Sequence, residues 1–107
     1  MTARTLINVP TQARKGDVIT IKTLISHEME TGYRHDSVGK PIPRDIITSF
    51  VCTYNGEEVF RAGLHPAIAA NPFFSFFVTA SESGKFEFKW TDDEGNVETA
   101  SAEITVE

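Results

Sequence analysis

Lys85 to Thr91, KFEFKWT, is the stretch that decides the fold. Phe86, Phe88 and Trp90 alternate strictly with Lys85, Glu87 and Lys89. Neighbouring side chains of an extended chain point to opposite faces, so this spacing puts three aromatics on one face and three charges on the other. That is a strand with one side on a core and one in water. Asp92 to Asn96, DDEGN, follows as a hairpin loop, with Gly95 available for a left-handed position. Its acidic run, Asp92, Asp93 and Glu94, reads as a solvated tip, because a calcium site needs more ligands at defined spacing. Val97 to Val106 returns as the closing strand, with Ala100, Ala102, Ile104 and Val106 inward.

Upstream, the same period recurs. Phe73 to Ala80 is a strand with Phe74, Phe76 and Val78 on one side and Phe73, Ser75 and Phe77 on the other. Being apolar on both faces, it should be covered on both, with another molecule as a candidate for one of the covers. Ser81 to Gly84 is a turn. Ile46 to Tyr54 carries Phe50, Cys52 and Tyr54 on one face, and Asn55-Gly56 joins it to Glu57–Ala62, because both residues tolerate the positive φ of a type I′ turn. Leu64 to Asn71, between the prolines at 66 and 72, holds at most one helical turn. Asp17 to His27 alternates, with Ile19, Ile21, Thr23 and Ile25 on one face and Val18, Thr20, Lys22, Leu24 and Ser26 on the other. Thr5 to Val9, stopped by Pro10, suits an edge strand, and Thr11 to Gly16 reads as a polar connection closed by a turn. About seven short strands with no amphipathic helix describe an all-β, immunoglobulin-like antiparallel β-sandwich in one domain, residues 1–107.

One segment breaks the pattern. His27 to Arg44, HEMETGYRHDSVGKPIPR, has neither strand nor helix periodicity and exceeds the roughly 4–6 residues of an ordinary connection. A long loop on a small strand scaffold is commonly there for binding or catalysis.

Composition bounds the partners. The chain has 107 residues, 40% hydrophobic and 23% charged, with a formal net charge of −5. An acidic balance argues against nucleic acid and anionic membranes, which select basic surfaces. No run approaches the about 20 apolar residues of a membrane-spanning helix. The N-terminus shows no signal peptide, which by itself would say cytoplasm. The lone Cys52 forbids an intrachain disulfide.

Candidate chemistry is thin. Cys52 lies mid-strand on the expected core face, which suits a buried structural residue better than a nucleophile needing a nearby cation and access. His27, His35 and His65 match no familiar zinc spacing, and the carboxylates Glu28, Glu30, Asp36 and Asp45 have no evident partner that would split their pKa values. No G-x-S-x-G elbow is present. A metal- or thiol-dependent enzyme using His27, His35, His65 or Cys52 is the rival reading. What remains is surface: Phe73, Phe77, Tyr33, Met29, Ile42, Val18 and Leu24 exceed what a monomer of this size must expose, and aromatic and methionine side chains are enriched in interfaces. The residues describe a binding module, with self-association through the same face as a third possibility.

His27-Glu28-Met29-Glu30-Thr31-Gly32 with Arg34, Asp36 and Ile42-Pro43, then Tyr54-Asn55-Gly56, then Ala67 to Phe73 with Ser75-Phe76, and then Phe88-Lys89-Trp90 to Asp93-Glu94-Gly95 together, and in this order, resemble the SoxZ family of thiosulfate-oxidation proteins. The resemblance spans essentially the whole chain and departs at Glu28, where the family pattern has proline. It implies an immunoglobulin-like, non-catalytic subunit without cofactor or metal. Such a subunit pairs with SoxY, whose C-terminal cysteine carries the sulfur cargo in thiosulfate oxidation, while other sulfur-oxidation enzymes make transient contacts. It also implies a periplasmic location reached by co-export with a signal-bearing partner. On this view Phe73 and Phe77 bury against the partner. Met29, Thr31, Tyr33 and Arg34 of the loop serve contact, and Gly32, Gly39, Pro41 and Pro43 serve shape.

Overall fold

A computed structural model describes residues 4–64 and 70–107. The order is β1 (Thr5–Asn8), β2 (Gln12–Ala13), β3 (Val18–Ile25), β4 (Ile47–Tyr54), β5 (Glu57–Gly63), β6 (Phe73–Thr79), β7 (Gly84–Asp92) and β8 (Val97–Val106). No helix occurs among the described residues. Two sheets face each other: a three-stranded one ordered β1-β3-β6 and a five-stranded one ordered β2-β8-β7-β4-β5.

The alternations predict the faces correctly. Phe86 and Trp90 are fully buried and Phe88 very nearly so, beside Ile21, Ile25, Phe50 and Cys52. Each large apolar side chain so buried contributes about 1.5–3 kcal/mol. The sheets are joined by aromatic rings: Phe50 of β4 stacks on Phe74 of β6 with centroids 4.8 Å apart. Phe60 of β5 stacks on Phe76 at 4.2 Å.

Turn chemistry aligns the five-stranded sheet. Asn55 and Gly56 take φ of 51° and 82°, as a type I′ hairpin requires. The Asn55 side chain then reaches the start of β7, where its Oδ1 accepts the Lys85 N–H at 2.9 Å. Gly84 is obligatory for that bond, because a Cβ there would lie 1.7 Å from Asn55 Oδ1. The Tyr54 hydroxyl accepts the backbone N–H groups of Ser81 and Glu82 and donates to the Glu82 carbonyl, fixing the 81–84 turn.

Two features differ from the expected sandwich. Within the stretch read as a polar connection, Gln12 and Ala13 form β2, which runs parallel to Thr105 and Val106 of β8. Two residues are too few for periodicity to show. Asp92, expected at a solvated tip, is instead 5% exposed. It is the last residue of β7, and its inward carboxylate organises the loop that follows. The helical turn considered for Leu64–Asn71 rests mainly on 65–69, outside the described residues.

Candidate functional site

The outward faces of the two sheets differ sharply. On the five-stranded sheet the exposed positions of β7 and β8 include Lys85, Glu87, Lys89, Thr99, Ser101 and Glu103, an ordinary solvated surface. On the three-stranded sheet the strand register sets Leu6, Leu24 and Phe73 opposite one another in one cross-strand row. The next row, Asn8–Lys22–Ser75, is polar, and beyond it Thr20 pairs with Phe77 and Val18 with Thr79. Leu6, Val18, Phe73 and Phe77 are 61%, 68%, 57% and 72% exposed, while Leu24 is half-buried. A groove of about 260 Å³ runs along Leu6, Asn8, Lys22, Leu24 and Phe73. Single exposed apolar residues are normal, whereas several gathered on one sheet face mark an interaction surface, here in two parts divided by the Lys22 row. Lys22 is its one charged side chain on β3.

The aperiodic segment between β3 and β4 is an irregular two-stranded arm. Glu30 and Asp45 exchange backbone hydrogen bonds of 2.8 Å, and the Ile42 N–H donates to the Arg34 carbonyl at 2.8 Å. At the tip the Asp36 carboxylate accepts the N–H groups of Val38 and Lys40 at 2.9 and 3.0 Å, with Gly39 at φ 82°. The arm is braced at its base. His27 Nδ1 accepts the Met29 N–H at 2.9 Å, and Nε2 lies 3.4 Å from Asp45 Oδ1. Arg44 Nε donates to Asp93 of the β7–β8 loop at 2.9 Å. Gly32 passes close over Arg44, leaving only 3.0 Å from a built Cβ to the Arg44 Cβ.

The predicted contact residues of the arm divide. Tyr33 is 80% exposed and free to meet a partner. Arg34 is exposed but bonded to Glu30, and that bond lowers the Glu30 pKa and raises that of Arg34. Thr31 is half-buried, and its hydroxyl accepts the Tyr33 N–H. Ile42 is half-buried. Met29 is not a surface residue: it is 4% exposed. A left-handed backbone, φ 55°, accompanies an inward side chain whose sulfur accepts the Ile47 N–H at 3.3 Å. Leu6 and Val38, the latter 75% exposed at the arm tip, went unremarked in the sequence. The first sits on a strand of four residues, which supports either parity, and the second in a segment with no period.

The rival chemistry finds little support in the geometry. Cys52 is fully buried, and burial pushes its thiol up to about 12, far from a reactive thiolate. Among the described residues no three His, Cys, Asp or Glu side chains gather as a metal set. His27 sits at the arm base and His35 is exposed on the arm. His65 lies outside the described residues.

The family model described as "Sulphur oxidation protein SoxZ" matches residues 7–103. The chain belongs to the SoxZ family. Its fold also matches solved structures at low identity. One is the superoxide reductase (neelaredoxin) from Ignicoccus hospitalis, with TM-score 0.71, 15% identity, and 96% of this chain and 80% of that chain covered. Another is the sulfur carrier protein SoxY from Chlorobium limicola f thiosulfatophilum, with TM-score 0.68, 13% identity, and 96% and 78% covered. At such identities the likeness is one of fold. No curated protein matches significantly by sequence. As a SoxZ-family chain, it is a sulfur-oxidation protein.

Proposed function

We propose that this SoxZ-family chain is the non-catalytic subunit of a SoxYZ sulfur-carrier heterodimer. It holds a SoxY-like subunit, whose C-terminal cysteine carries the covalent sulfur intermediates of thiosulfate oxidation, and presents that subunit to the processing enzymes. The observation that carries the reading is the apolar outer face of the three-stranded sheet, Leu6, Val18, Leu24, Phe73 and Phe77, set against the charged face of the other sheet. An interface needs one desolvatable surface, and this is it. The arm, with Tyr33 exposed, flanks the docking region. The heterodimer works in the periplasm, reached by co-export with the signal-bearing partner.

The test is co-expression with the SoxY chain of the same organism. A stable one-to-one complex is expected. Phe73→Ser combined with Phe77→Ser should abolish it while leaving the thermal midpoint of the isolated chain nearly unchanged, since both side chains are already in water. Recovery of the unsubstituted chain as a monomer beside a folded SoxY would sink the proposal.

A further inference from the structure

The two sheets end in four edge strands, and three of them are blunted. β2 has two residues and β1 four. β5 carries Glu57, Glu58 and Arg61, and its register with β4 shifts at Cys52/Thr53. Short length, charge and irregular register are the devices by which proteins keep sheet edges from pairing with other chains. The fourth edge, β6, has none of them. Its sequence is FFSFFVT, seven residues without charge or proline, in unbroken register with β3 from Leu24↔Phe73 to Val18↔Thr79.

The backbone of β6 can be assigned residue by residue. The Ile25 N–H donates to the Pro72 carbonyl and the Ala80 N–H to the Asp17 carbonyl, which places the even-numbered residues of this register toward β3. Antiparallel ladders alternate. The N–H and C=O groups of Phe73, Ser75, Phe77 and Thr79 therefore point away from β3, and among the described residues β6 pairs with no other strand. The Leu6–Leu24–Phe73 row ends at this edge. On its other flank a groove of about 340 Å³ is lined by Tyr54, Val59, Phe77 and Thr79.

We infer that β6 is a strand-addition site, where an extended strand of the SoxY-like partner pairs with the outward backbone groups of Phe73, Ser75, Phe77 and Thr79. The inference rests on the heterodimer reading and specifies how the interface is built: main-chain bonds set the register, and side chains pack on the Phe73 and Phe77 rings. Added there, the strand lies beside Phe73 at the end of the Leu6–Leu24–Phe73 row and beside Phe77. A second copy of this chain is a poorer occupant, because pairing two molecules of net charge −5 adds like-charge repulsion.

Amide hydrogen exchange tests this directly. In the isolated chain the four outward amides should exchange freely. In the complex with the SoxY chain of the same organism they should slow by roughly tenfold or more. Ser75→Pro removes one outward N–H at an edge position that tolerates proline. It should leave the isolated chain folded and weaken the complex at least as much as loss of one ring does. A complex that forms with these four amides still unprotected, and that Ser75→Pro leaves intact, overturns the strand-addition site but not the heterodimer. Failure to form any complex overturns both. Protection in the chain alone, rising with concentration as it dimerises, gives the edge to a second copy and overturns the assignment to SoxY.

Discussion

Asp92 shows how a residue that reads as surface becomes structural. Burial works to raise its pKa, but the Asn96 side chain and the backbone N–H groups of Asn96 and Glu94 all donate to the carboxylate and outweigh it. The net shift is downward. A carboxyl whose pKa is lower in the folded state contributes stability that is complete above its unfolded value, about 4. That contribution is lost as pH falls below there toward the folded-state value. Asp92→Asn should cost about 1–3 kcal/mol at neutral pH, because the loop N–H groups lose a charged acceptor. Urea denaturation across pH should show the gap between wild type and variant narrowing below about pH 4. A gap constant with pH would mean that the charge is not what holds the loop.

At the scale of elements, the strands were legible because each buries one face, and a period of two survives any detail of packing. Phe86, Phe88 and Trp90 could be assigned to the core from their spacing alone. The arm was legible only as an exception. Nothing in HEMETG marks Met29 as inward, since a single left-handed residue reverses a side chain without leaving a pattern. The apolar outer face was half legible: Phe73 and Phe77 stood out as surplus aromatics opposite a core face, whereas Leu6 became visible only through its register with Leu24 and Phe73. Met29 now acts as the peg that joins arm to core. Met29→Ala should destabilise the domain by about 2–5 kcal/mol, whereas Tyr33→Ala should stay within about 0.5 kcal/mol. Equal, small effects in chemical denaturation would return Met29 to the surface.

The whole molecule is long for its size. Its extents are 59 × 20 × 20 Å and its radius of gyration is 16.2 Å, against about 13 Å for a compact domain of this length. A ten-residue strand spans about 33 Å, so the arm between β3 and β4 supplies most of the remainder. Replacing residues 33–42 by Asn-Gly should keep the sandwich folded and lower the radius of gyration measured by X-ray scattering toward that of a compact domain. An unchanged value would mean the sandwich itself is drawn out. The unblunted edge at β6 carries a cost that falls on the cell. If a partner strand covers it as proposed, the chain is safe only while the two are made in step. Surplus copies would then carry the edge uncovered, with only their like charge to hold them apart, so gene dosage and matched translation would bear on how the protein stays dispersed.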